Sequence, residues 1–190
     1  MGGPVERVVI EADGGSRGNP GPAAYGALVK DADTGRVLAE EGTSIGVASN
    51  NVAEYHGLIA GLRMAQEVAP GAEIEVRMDS KLVVEQMSGR WKIKHPDMKP
   101  LALEANRLAP RGTTYTWVPR ELNKHADRLA NEALDGLRSG VTRHPDPDDD
   151  ADSLVEELQR PEHDVGQETA GFRGWSPPAG PVTTLVLVRH

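Results

Sequence analysis

Over the first fifty residues apolar side chains alternate with polar ones or run in short β-branched blocks, so that residues 5–13, 23–31 and 36–46 read as three strands. Asp33, Thr34 and Gly35 supply a tight turn between the second and third, which predicts an antiparallel arrangement. The period then changes. Ala53, Leu58, Leu62 and Ala65 fall at helical spacing behind a candidate cap at Asn50 or Asn51, and Pro70 and Gly71 stop the helix. Further on, residues 73–78 read as a strand, 80–87 as a helix ended by Ser88 and Gly89, and 98–108 as another helix. Residues 113–118 give a fifth strand and 123–137 a last helix. Three antiparallel strands followed by strand–helix repeats predict an α/β fold with a five-stranded mixed sheet flanked by helices.

Four acidic residues stand at chemically informative places in this pattern: Asp13 on the first strand, Glu54 in the first turn of the first helix, Asp79 ending the fourth strand, and Asp127 early in the last helix. Taken singly, Glu54 and Asp127 fit a cap or a surface charge favoured by the helix dipole. Taken together, strand ends and helix starts converge on one edge of such a sheet, and unneutralised carboxylates gathered there repel unless divalent cations lie between them. That arrangement suits a two-metal centre acting on a phosphodiester. Asp13 runs into Gly14, Gly15, Ser16, Arg17, Gly18 and Asn19, a stretch with little bulk and many backbone N–H groups, suited either to close approach of a phosphate-bearing chain or to a plain hairpin turn.

Composition sharpens this picture. The chain has 190 residues and no cysteine, which leaves carboxylates and histidines as ligands and favours hard cations. Its net charge of -8 is uneven: residues 1–140 carry 17 Lys+Arg against 19 Asp+Glu, whereas 141–190 carry 4 against 10. Within the first part, residues 81–99 are locally basic through Lys81, Arg90, Lys92, Lys94 and Lys99, with Trp91 among them, a pattern that fits a nucleic-acid backbone as well as a solvated loop. The sequence contains neither a long apolar run nor a secretory leader, so a cytoplasmic protein without membrane attachment is expected.

The ordered motifs Asp13-Gly-Gly-Ser-Arg-Gly-Asn-Pro-Gly, Ser49-Asn-Asn-Val-Ala-Glu54, Asp79-Ser-Lys and His125-Ala-Asp127-Arg-Leu-Ala resemble the type 1 ribonuclease H family across residues 5–138. The resemblance implies the ribonuclease H-like fold. It also implies an endonuclease that hydrolyses the RNA strand of an RNA/DNA hybrid and leaves 5′-phosphate and 3′-hydroxyl ends. Asp13, Glu54, Asp79 and Asp127 match the family's catalytic, metal-binding carboxylates, with two Mg²⁺ ions as cofactor and Mn²⁺ able to substitute. Asp13 would bridge both ions, Glu54 and Asp79 would complete one position, and Asp127 the other. Gly14, Gly15, Ser16, Asn19, Ser49, Asn50 and Asn51 match hybrid-contacting positions, and Arg90, Trp91 and Lys92 stand in for a longer basic protrusion that many members carry. Those members also place a histidine after the fifth strand, where this chain reads Trp117-Val118-Pro119-Arg120-Glu121; Arg120, Glu121 and His125 are the candidate substitutes. A monomer is expected, and double-stranded RNA is a second candidate substrate.

Past Gly140 the character changes. Residues 141–181 read as an acidic, Pro-rich linker, and 182–190 as an apolar strand ending in Arg189-His190. That ending resembles the opening strand of the histidine phosphatase family, as in actinobacterial proteins that join the two activities. The expected organisation is therefore a ribonuclease H domain over 1–140, the linker, and a truncated phosphatase stub. The alternative function is a module that binds hybrid or structured RNA with weak or no cleavage.

Overall fold

The structure, a computed structural model, describes residues 3–147; most of the expected linker and the whole expected phosphatase stub lie outside the described residues. Three long strands, β1 (Arg7–Ser16), β2 (Gly21–Asp31) and β3 (Val37–Ala48), form the antiparallel meander that the alternation predicts. The Asp33–Gly35 turn is closed by Gly35 N–H donating to Asp31 O, and Gly35 takes a positive φ that a larger residue would resist. After helix α1 (Asn50–Val68), strand β4 (Glu73–Met78) returns parallel to β1. Helices α2 (Lys81–Met87) and α3 (Met98–Leu108) lead into β5 (Thr114–Trp117), parallel to β4, and α4 (Lys124–Leu134) follows.

The sheet has six strands rather than five. A short strand, β6 (Gly140–Arg143), pairs antiparallel with β3 and gives the order β5-β4-β1-β2-β3-β6, so the expected domain end at Gly140 falls inside the sheet. Gly-Val-Thr-Arg carries no apolar alternation; backbone pairing with β3 makes it a strand. The last helix is also shorter than its sequence pattern, ending at Leu134.

Period-two alternation divides the core between the two faces of the sheet. Ala27 and Val29 of β2 point into the large cluster with Leu58, Leu62, Val83 and Met98, while Leu28 points the other way onto Ala126 and Leu129 of α4. Glycines set how closely the helices lie. A Cβ on Gly26 would stand 2.2 Å from Ala126 O and 2.7 Å from Ala130 N, inside the backbone of α4. Gly26→Ala is therefore expected to destabilise the fold by about 3 kcal/mol, whereas Gly15→Ala, whose Cβ meets nothing within 4 Å, leaves stability near wild type. Thermal melts of the two variants check this.

Candidate active site

Registry alone brings two of the acidic residues together. Parallel pairing of β1 with β4 sets Ala12 opposite Met78, so the next residues, Asp13 and Asp79, emerge side by side at the C-terminal edge of the sheet. Glu54 reaches them from α1, and carboxylate oxygens of Asp13, Glu54 and Asp79 all lie within 4.8 Å of one another. Asp127 belongs to the same pocket and stands beside Asp13 without joining that tighter trio.

Local packing explains the placement of Glu54. It is the fifth residue of α1 rather than part of the first turn, so it is not a capping group; Ser49 caps the helix instead of Asn50 or Asn51, accepting from Val52 N–H at 3.3 Å. A Cβ on Gly14 would sit 2.2 Å from Ala53 C, and the missing side chain lets α1 approach β1 until Gly14 N–H donates to Glu54 Oε2 at 3.1 Å. Gly14 to Ser16, turn-like in composition, thus continue β1.

Crowding reshapes the electrostatics of these groups. Burial first, then the charges of Asp79 and Asp127, push the Asp13 carboxyl up to about 8. Glu54 is held well above the usual carboxylate range by burial and by Asp13 and Asp79. A donor set made only of carboxylate oxygens this close together fits hard divalent cations. Thiolate and imidazole chemistry has no representative in the trio.

Sequence reasoning missed one buried residue of this edge. Asn123 is 1% exposed, and its Nδ2 donates both to Ala12 O at 2.9 Å and to Asp79 Oδ1 at 2.8 Å, joining β1, the end of β4 and the start of α4. Its place before a helix suggests only a cap; no local signal marks a bond to a residue 44 positions away.

The candidate substrate residues fall into two groups. Ser16 N–H donates to Asn50 Oδ1 at 2.8 Å and Asn50 N–H to Asn19 Oδ1 at 3.2 Å, so Ser16, Asn19 and Asn50 form one polar rim beside the carboxylates, with Asn51 half-buried next to it. Ser49 lines the adjoining depression with Val52, His56 and His95. Arg90, Trp91 and Lys92 line a separate hollow that also includes His95, away from the carboxylates, with Arg90 paired to Glu85. Of the three candidate histidine substitutes, only Arg120 lines the carboxylate pocket, its guanidinium 3.5 Å from Asp127. His125 turns away to Glu40 at 2.9 Å, and Glu121 is exposed.

Residues 11–133 match the sequence profile of the reverse transcriptase-like family. The chain is 52% identical over 186 residues to the bifunctional protein Rv2228c of Mycobacterium tuberculosis, covering 97% of this chain and 47% of that protein. The N-terminal RNase H domain of Rv2228c, solved as a fusion with maltose binding protein, superposes with a TM-score of 0.66 at 61% identity, over 70% of this chain and 96% of that one. The chain belongs to the ribonuclease H family. A ribonuclease HI of Halobacterium salinarum is 46% identical over 131 residues, 68% of this chain and 65% of its own length. LC11-RNase H1, solved in complex with an RNA/DNA hybrid, matches with a TM-score of 0.65 at 40% identity, over 68% of this chain and 98% of that one. The chain spans about half the length of the mycobacterial relatives. No helix among the described residues is long and apolar enough to cross a membrane.

Two predictions follow from ribonuclease H family carboxylates packed this tightly. Because Asp13 titrates near 8 in the fold but at about 4 when unfolded, the folded state binds more protons between these values. Stability of the metal-free protein should therefore fall as pH rises from about 4 to about 8, and Asp13→Asn should flatten that slope in melts run with a chelator. Asn123→Ala leaves Ala12 O and Asp79 without their donor and should cost about 1–3 kcal/mol in denaturant titrations.

Proposed function

We propose that the chain is a metal-dependent endoribonuclease that hydrolyses the RNA strand of RNA/DNA hybrids. One observation carries this reading: carboxylate oxygens of Asp13, Glu54 and Asp79 converge within 4.8 Å, with Asp127 alongside, in a pocket that Ser16 and Asn50 also line. The relatives named ribonuclease HI and the hybrid-bound LC11 enzyme support the same substrate.

Asp13, Glu54 and Asp79 would hold one divalent ion and Asp13 with Asp127 a second, Mg²⁺ by preference with Mn²⁺ as substitute. When bound, such ions supply Lewis-acid stabilisation of charge on the phosphoryl oxygens. The chain's own groups do the rest. Gly14 N–H and Asn123 Nδ2 fix the orientations of Glu54 and Asp79, so the acceptors are set before substrate arrives. The polar rim of Ser16, Asn19 and Asn50 offers hydrogen bonds to ribose 2′-hydroxyls, the group that separates RNA from DNA. Water oxygen bonds to phosphorus as the P–O3′ bond breaks, giving a 5′-phosphate and a 3′-hydroxyl. Arg120, one of the candidate substitutes for the histidine that many members carry, would bear on Asp127, from which its guanidinium stands 3.5 Å away.

Arg90, Trp91 and Lys92 offer a second contact for the nucleic-acid backbone, in a hollow that shares His95 with the depression lined by Ser49. The protein acts as a monomer.

The test is cleavage of an end-labelled hybrid with Mg²⁺, Mn²⁺ or chelator. Cuts confined to the RNA strand, absent with chelator and reduced about a hundredfold or more in Asp79→Asn, are expected. Hybrid binding without cleavage under every metal condition would leave only the binding-module reading.

A further inference from the structure

The carboxylate pocket continues past the cluster as a trough between β1 and α4. Gly14 and Ser16 face α1, Asp13 and Gly15 alternate onto the opposite face of β1, and Arg17 follows directly where the strand ends at Ser16. Opposite them, Asp127 and Asn131 stand one turn apart on α4, and Asp135, the residue that caps its C-terminus, continues the row at i+8. The two rows meet rung by rung. Asp13 stands beside Asp127 at one end, and the Arg17 guanidinium pairs with Asp135 at the other. Between them the bare Gly15 leaves open space in front of Asn131, whose Nδ2 is anchored to Asp127 O at 3.0 Å. The resulting cavity of about 430 Å³ is lined on this side by Gly15, Arg17, Ala130, Asn131 and Leu134.

We propose that this trough is a second subsite for the RNA strand, in which Arg17 binds a phosphodiester flanking the one that is cut and Asn131 faces the intervening ribose. The assignment rests on the hybrid-cleaving reading above. Charge supports it: the pocket walls carry four carboxylates against two arginines, so a polyanion crossing them needs each cation. The exchange is also cheap. Arg17 and Asp135 are 55% and 48% exposed, and a pair that exposed contributes little, whereas a guanidinium meets a phosphate through two parallel hydrogen bonds. Asp135 therefore holds Arg17 extended across the trough mouth until substrate phosphate replaces it. Arg17 N–H, bonded to Pro22 O at 2.8 Å, fixes the backbone from which the side chain projects.

The test uses the full chain and a hybrid duplex. Affinity is measured in chelator across a salt series, and steady-state cleavage with Mg²⁺, for wild type, Arg17→Ala, Arg17→Lys and Asp135→Asn, with melts confirming folding. Arg17→Ala is expected to weaken binding about tenfold and to lower the salt slope by about one, with the loss in KM rather than kcat. Arg17→Lys should recover part of the affinity, and Asp135→Asn should bind more tightly than wild type. An Arg17→Ala protein with wild-type affinity and slope would overturn the subsite, as would equal weakening by Arg17→Ala and Asp135→Asn, which marks the pair as structural. If wild type binds hybrid but never cuts, the catalytic reading fails while the salt slopes still decide Arg17; if it does not bind, both fail.

Discussion

Mutual repulsion among carboxylates is the constraint around which this molecule is arranged. Two unit charges about 4 Å apart near a protein surface repel by about 4 kcal/mol, several times what an exposed ion pair returns. Asp13, Glu54 and Asp79 are held closer to that separation than free side chains would choose, with Asp127 adding to the field. Burial, with the charges of Asp79 and Asp127 added to it, pushes the Asp13 carboxyl up to about 8, so the metal-free cluster favours keeping a proton. A divalent ion would relieve the repulsion better, and on the proposed reading would turn a liability of the fold into a reactive centre.

Holding such a cluster together requires rigid supports, and the supports are mostly backbone. The parallel register of β1 and β4 fixes Asp13 beside Asp79. Gly14 admits α1 close enough to bring Glu54 in, and Gly26 and Gly42 admit α4, where a Cβ would otherwise run into Ala126 O and Leu129 O. Asn123 then ties the three elements with two hydrogen bonds from one amide. The same edge also carries polar groups that the proposed activity would turn toward a hybrid: Ser16, Asn19 and Asn50 bonded to one another on the α1 side, and Arg17 tethered to Asp135 on the α4 side.

The convergence of the four carboxylates was legible in the sequence because each lies near the end of a strand or the start of a helix, even though β1 runs on to Ser16 and Glu54 sits a turn inside α1, and the topology of alternating elements sends those points to one edge. The bounds of β4 and α3 were equally plain, since the sequence pattern over 73–78 and 98–108 coincides with the two elements. What stayed hidden was tertiary. Nothing local announces β6, whose Val141, Thr142 and Arg143 are exposed and whose partner lies on β3. Gly14 to Ser16 have turn composition yet continue a strand, because a neighbouring helix rather than propensity decides their conformation. Ser49 rather than Asn50 caps α1, which frees the Asn50 side chain for Ser16. Likewise His125, near Asp127 in sequence, points to Glu40 on the other side of the helix.

The central claim is that crowded carboxylates hold protons until a cation displaces them. It is tested most directly by titrating Mg²⁺ calorimetrically at pH 7 in buffers of different ionisation enthalpy, which counts the protons released per ion bound. Wild type is expected to release protons on binding, and Asp13→Asn to release fewer or none. Tight binding with no proton release in wild type would contradict the claim, as would no binding at all.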